Sequence, residues 1–527
     1  MHLPGFRTAP GPGTFVALVA AVVAGAALLP ALYLVIRAYQ DIDLARDILT
    51  SGRALRTTRD TLVLAGCTAA TATAIAVPIA WLTARTDLPG ARIWSVLLAL
   101  PLAIPSYVGA FALVSALGPR GIVQGWLEPF GVERLPEIYG FVGAWLALTL
   151  FTFPYVLLPA RAALLGIDRS IEEASRGLGK GPVETFFRVI VPQIRPAVAA
   201  GALLVALYTL SDFGAVSILR FDSLSRVIYI QYTATFDRSA AATYALILVA
   251  LAIAVVALES VTRGRARYHV AVSRGRPTVA RLGRWRWPAL AYCSLVLLCA
   301  LILPLAVIAY WLVRGLAAGE ALAPVWEAGW NSAMASGLAA SLAVAASLPV
   351  AYLAARRSGW SAGVVEKLAY SGYALPGITV ALALVFLAAN YAPWIYQTLA
   401  LLIFAYGVRF LPQAIGSCRS SFLQINPQSE EAARSLGKSS TRVFLRITLP
   451  QLVPGMSAAG ALVFLTAMKE LPATLLLSPI GFDTLAVQVW SASSEAFFAR
   501  AALPALILVA LSSIPMVYLV SQERPPE

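Results

Sequence analysis

Charge is scarce in this chain. Of its 527 residues only 13% are Asp, Glu, Lys or Arg, while 59% are hydrophobic and mean hydropathy is +0.77; a soluble domain carries roughly 25% charge. That shortage excludes a soluble enzyme and a disordered scaffold. Histidine is nearly absent. The two present, His2 and His269, lie outside the apolar runs, so no metal site is expected on this chain. Cysteine is also rare: Cys67, Cys293, Cys299 and Cys418 sit in or beside apolar segments without CxxC spacing. They read as small buried hydrophobes, which excludes a secreted disulfide framework. Acids are outnumbered 26 to 40, giving a net charge of +14. In a soluble chain that excess suggests nucleic acid. Here the arginines flank apolar runs, so topology explains them and no nucleic-acid partner is expected.

What is abundant is long apolar sequence. Lipid leaves backbone N–H and C=O groups no partner but each other, so a run of about 20 apolar residues crosses as a helix. About twelve such runs occur: 14–37, 61–84, 93–117, 141–164, 197–220 and 240–262, then 287–313, 331–355, 365–390, 395–417, 453–477 and 499–521. The first is too long for a cleaved signal peptide and reads as a retained span. Between the sixth and seventh lies a segment holding Arg263, Arg265, Arg267, Arg274, Arg276, Arg281, Arg284 and Arg286 without one acid. The positive-inside rule places it in the cytoplasm. Six spans on each side then put both termini, and the polar segments 165–192 and 418–450, inside. The loop with Arg46, Arg53, Arg56 and Arg59 falls outside, which agrees less well.

The chain repeats itself. Glu172-Glu173-Ala174-Ser175-Arg176-Gly177-Leu178-Gly179-Lys180 returns as Glu430-Glu431-Ala432-Ala433-Arg434-Ser435-Leu436-Gly437-Lys438, an offset of 431 − 173 = 258. The same offset pairs Pro154 with Pro412, Arg161 with Arg419, Phe186 with Phe444 and Pro192 with Pro450; nearer the start of each half it is 376 − 105 = 271. Two homologous halves with equal numbers of spans are expected to be parallel copies about an axis along the membrane normal. The expected organisation is 1–54 (N-terminal segment with the first span), 55–262 (first permease domain), 263–286 (Arg-rich linker), 287–326 (seventh span and outer loop), 327–521 (second permease domain) and 522–527 (tail). The fold class is all-α integral membrane.

Both repeated loops read as helix, turn, helix. Asp168 and Asn426 are N-cap candidates and Pro427 suits the first helical position. Glu172-Glu173 and Glu430-Glu431 lie in first turns, where the helix dipole favours acids. Gly179 and Gly437 end the short helices. A second helix follows, punctuated by Pro192 and Pro450. Gly437-Lys438-Ser439 mimics the end of a P-loop, but Ala432 stands where that motif needs glycine, and a helix precedes it rather than a strand. This chain holds no nucleotide site.

The pattern Glu-Ala-Ala, three residues, Gly, nine residues, Ile-x-Leu-Pro resembles the EAA loop of ABC importer permeases. Glu431-Ala432-Ala433, Gly437, Ile447 and Leu449-Pro450 fit it fully; the first copy has Ser175, Val189 and Val191 in place of Ala, Ile and Leu. The resemblance implies a type I ABC importer permease in the bacterial inner membrane. Each loop would supply a coupling helix to a homodimeric ATPase in the cytoplasm, and a solute-binding protein would dock outside. Glu172, Glu173, Ala174, Gly179, Glu430, Glu431, Ala432 and Gly437 form the implied coupling set, with Glu173 and Glu431 facing the ATPase. ATP and Mg would sit on that partner; this chain would bind no cofactor and would be no enzyme.

Ionisable residues inside the membrane are functional candidates by default. Asp212 and Glu470 are repeat partners (470 − 212 = 258). Both are pathway candidates, as are Ser211 and Tyr208 near Asp212, or else each is a buried carboxylate satisfied by backbone or a neighbouring Arg. Pro78, Pro105, Pro154, Pro349, Pro376 and Pro412 are expected to kink spans, and Trp94, Trp285 and Trp287 to anchor at the lipid interface. The stretches 210–219 and 469–477, with Phe482-Asp483-Thr484-Leu485, look like the fused ferric-iron permeases from about residue 55 onward. Thiamine and other solutes remain open. A secondary transporter of 6+6 spans is the rival from another class, against which the paired loops stand.

Overall fold

Long apolar runs become long helices. In a computed structural model, which describes residues 14–119, 121–132, 134–167, 169–235, 237–264, 280–320, 324–356 and 359–521, eleven helices are long and apolar enough to cross a membrane, or twelve if one bent pair is counted as a span. Among the described residues there is no strand; one isolated bridge joins Thr86 to Ala280. Asp168, most of the Arg-rich linker and the tail from 522 lie outside the described residues.

Several runs that read as single spans are broken, each at an identifiable residue. The run 93–117 divides into Ala91–Leu97, Leu100–Ala103 and Ser106–Leu117. The run 365–390 divides into Trp360–Gly372 and Gly377–Tyr391, bent by 96°. Proline lacks an N–H and pushes its predecessor out of the helical region. Ile104 before Pro105 and Leu375 before Pro376 are accordingly extended, with ψ of 119° and 108°. Pro154 opens a new helix, whereas Pro78, Pro349 and Pro412 lie inside continuous ones. Pro192 and Pro450 do not punctuate as expected. Phe186–Ile190 and Phe444–Thr448 form π-turns, and the chain runs on as helices Val191–Ser211 and Leu449–Met468. A π-turn shifts the hydrogen-bond ladder by one residue, so a proline can follow with no bond left unmade.

The two halves exchange their leading spans, one and seven, while spans six and twelve touch both halves. Spans two to five pack with Cys293, Val296, Ala300 and Ile308 of span seven and with Ala501, Ala505 and Leu508 of span twelve. Spans eight to eleven pack with Tyr33 and Leu34 of span one and with Ala241, Ala245 and Leu248 of span six, which also lies along span five of its own half. The first span also lays a stripe of Ala20, Ala24 and Ala27 against Val350, Leu353 and Leu411. Small residues let helices approach closely where lipid supplies no hydrophobic drive. Of the cysteines, Cys293 and Cys418 are buried, while Cys67 and Cys299 are half-buried. Trp285 and Trp287 are exposed, while Trp94 is half-buried, its Nε1 donating to the Pro89 carbonyl at 3.1 Å.

Candidate functional site

The loop helices are Arg169–Gly177 and Pro427–Ser435. Asn426 caps the second, accepting from the Gln428 N–H at 3.0 Å, with Pro427 following. Gly179 and Gly437 end the turns with φ of +82° and +76°, a left-handed conformation that costs glycine nothing. Glu173, Ala174, Glu431 and Ala432 are exposed along with both glycines. Glu172 and Glu430 are not. They are 3% and 5% exposed, turned into the bundle toward Arg85 at 2.8 Å and Arg356 at 3.3 Å. These two members of the expected coupling set therefore hold the helices to the bundle from within. The sequence signal for the arginines was available: each ends a span, at the 271 offset (356 − 85 = 271).

The described end of the linker lies on the same face. The Ala280 N–H donates to the Arg85 carbonyl at 2.8 Å, and the Leu282 N–H donates to Asp87 at 2.7 Å. One surface thus gathers a loop helix, the short loop after span two and the described end of the linker.

Between the halves lies a cavity of about 180 Å³. Repeat partners line it from both sides: Tyr155 and Gln413, Tyr208 and Thr466, Ser211 and Lys469, Asp212 and Glu470. All four predicted pathway residues are there. Asp212 and Glu470 do not lie within helices, however. Each sits just past the end of its span, where Ser211 and Met468 are the last helical residues. Asp212 accepts from the Ala215 N–H at 3.0 Å, the Val216 N–H at 3.3 Å and the Ser106 hydroxyl. Glu470 accepts from the Ala473 N–H at 3.2 Å and pairs with Arg409. Each carboxylate thus lines the cavity and caps a short helix. Lining the cavity and satisfied burial describe the same two carboxylates.

The halves satisfy their carboxylates differently. Ser106 of the first half is replaced by Gly377 in the second, where a Cβ would stand 1.8 Å from Arg409 Nη1 and 2.6 Å from Glu470 Oε1. Glycine makes the space for the arginine. Lys469 turns the other way and donates to the Leu102 carbonyl at 2.8 Å. Two acids and two bases leave the cavity formally neutral. Sequence reading missed Arg409, Gln413 and Thr466; the first was findable as an arginine inside an apolar run. Tyr107 also lines the cavity, 3% exposed, its hydroxyl without a partner.

Beyond the span ends, Phe213 stacks on Tyr229 at 4.8 Å and on Trp490 at 5.1 Å. This aromatic layer, built by both halves, divides the central cavity from a second one of about 270 Å³ lined by Arg220, Arg226, Ser493 and Ser494.

The family described as "binding-protein-dependent transport system inner membrane component" matches twice, over residues 76–267 and 347–523. The Fe(3+)-transport system permease protein FbpB 2 of Haemophilus influenzae is 34% identical over 93% of this chain and 95% of its own length. The ferric transport system permease protein FbpB of Actinobacillus pleuropneumoniae is 27% identical over 82% of this chain and 66% of itself. The molybdenum transport system permease protein ModB of Azotobacter vinelandii is 33% identical, but over 36% of this chain and 81% of its own. The paired loop helices, the span-end carboxylates and the doubled match lead to one assignment: the chain belongs to the inner membrane components of binding-protein-dependent transport systems, with two copies of that component fused in one polypeptide.

Proposed function

We propose that this permease carries ferric iron inward, powered by a homodimeric ATPase seated on the two loop helices in the cytoplasm and fed by a binding protein on the opposite face. The observation that carries the cargo is the end-to-end likeness to a ferric permease, 93% of one chain and 95% of the other. The coupling surface rests on Glu173 and Glu431, exposed beside the left-handed glycines. Substrate would move by alternating access through the central cavity, with Phe213, Tyr229 and Trp490 as its outer closure. ATP binding to the partner would supply the differential affinity between states that any such shift requires. Both termini would be cytoplasmic, on the side of the basic linker.

A second cargo is favoured by one observation. Shorter relatives carry the names of sulfate and molybdenum permeases; an oxyanion in this formally neutral cavity would have to draw Arg409 away from Glu470. Uptake of labelled ferric iron and labelled molybdate in a deletion strain decides between them. Wild type is expected to restore iron uptake, and Glu173→Ala/Glu431→Ala to abolish it at equal protein level. Restored molybdate uptake without iron would replace the cargo and keep the coupling. Full uptake in the double variant would reject the coupling surface.

A further inference from the structure

Each acidic pair in the loops divides its work, one glutamate outward and one inward, and the inward one meets an arginine at a three-way junction. Arg85 is the last residue of the helix Gly52–Arg85. Its Nε donates to the Leu164 carbonyl at 2.9 Å and its Nη2 to the Ile167 carbonyl at 3.4 Å, at the end of the helix Pro154–Gly166. Its Nη1 stands 2.8 Å from Glu172. That approach lies off the hydrogen-bonding direction and is a charge contact. Arg356 repeats the junction. It ends Val325–Arg356, donates to the Ile425 carbonyl at 3.1 Å and meets Glu430 at 3.3 Å. Ile167 and Ile425 are themselves repeat partners. Glu430 also accepts from the Thr448 hydroxyl at 3.0 Å, where the first half has Ile190. The first junction thus lacks that second anchor.

We infer that Arg85–Glu172 and Arg356–Glu430 are the rigid joints through which movement of the loop helices reaches the membrane bundle, an inference that rests on the ATP-driven reading above. Each joint pins the loop helix to two span ends at once, so the three move as one body. Arg85, Glu172, Arg356 and Glu430 are positioning residues: they touch the exposed coupling surface only through the helix they hold.

A buried ion pair that merely stabilises can be exchanged for apolar side chains at little cost, whereas removing one partner strands a buried charge. Arg85→Met/Glu172→Met therefore separates stability from transmission. One arm needs neither ATPase nor cargo. The full chain, with its four cysteines replaced by serine, carries spin labels at exposed Ala162→Cys and Leu178→Cys in lipid nanodiscs. A narrow distance distribution is expected with the joint intact and a broad one in the double variant. In the second arm, permease, ATPase and binding protein are reconstituted together. Iron carried per ATP is expected to fall about tenfold, the scale of an ordinary coupling energy, at unchanged unfolding temperature, while Arg85→Lys keeps most of the ratio. Unchanged width together with an unchanged ratio would overturn the joint. If wild type carries no iron, the cargo reading fails and the label arm still judges the joint. Should the double variant not reach the membrane, Glu172→Gln replaces it in both arms.

Discussion

At the scale of residues, the central cavity is a place where opposite charges have been counted against each other. Arg409 and Glu470 face one another with side-chain exposures of 20% and 5%. Breaking a buried pair from one side costs about 3 kcal/mol or more, because the remaining charge keeps its desolvation penalty without its attraction. Arg409→Met is therefore expected to lower the unfolding temperature of the purified chain sharply. Arg409→Met/Glu470→Met is expected to recover most of it. A calorimetric scan in detergent reads both, and equal loss in the double variant would deny the pair any mutual role. The residue scale is also where sequence reading reached its limit. Glu172 and Glu173 are neighbours of identical type, and nothing in their letters says which turns inward. The answer depends on Arg85, eighty-odd positions away, whose approach to Glu172 is a tertiary fact.

Elements were more legible, because their causes are local. Runs of apolar residues gave the spans, Asn426 and Pro427 gave a helix start, and the glycines gave its stop. Most of the misreadings share one cause. A hydropathy window averages over a backbone break, so Pro105 and Pro376 passed as interior kinks although each starts a new helix. At Pro192 and Pro450 the opposite happened: a π-turn carried the helix past a proline that looked terminal. The breaks after Ser211 and Met468 were hidden in the same way, which is why Asp212 and Glu470 were placed inside spans. Gly437 offers an element-scale test. A Cβ there would meet nothing within 4 Å, so alanine costs only the left-handed backbone, about 1 kcal/mol. Gly437→Ala is expected to leave membrane levels unchanged and to reduce, several-fold, the ATPase that copurifies with the chain. Undiminished recovery would mean that the turn geometry is not read by the partner.

On the scale of the whole molecule, duplication was plain from the repeated loops, yet the exchange of leading spans was not. Repeats reveal which segments are alike, not which pack together. Alanine stripes such as Ala20, Ala24 and Ala27 suit many partners, and only the packed structure shows that theirs lie in the second half. The expected boundary at 263–286 therefore divides the sequence between repeats and not between cores. Residues 1–270 and 271–527, expressed as separate chains, are expected to copurify when made together, and each to be degraded when made alone. Stable accumulation of either piece by itself would show that the exchanged spans are dispensable to its core.

That exchange also sets the order in which the protein can be finished. A nascent chain enters the bilayer from its amino end, so span one arrives long before the helices its alanine face contacts. Until residues 325–356 emerge from the ribosome, Ala20, Ala24 and Ala27 can meet only lipid or a transient helper. Both cores wait longer still, since Ala501, Ala505 and Leu508 of the first and Met516, packed with Leu465 of span eleven, emerge after every other span described. Neither half reaches its final packing ahead of the other. A ribosome that stalls before residue 498 leaves two incomplete bundles in the membrane, with no finished half to escape surveillance.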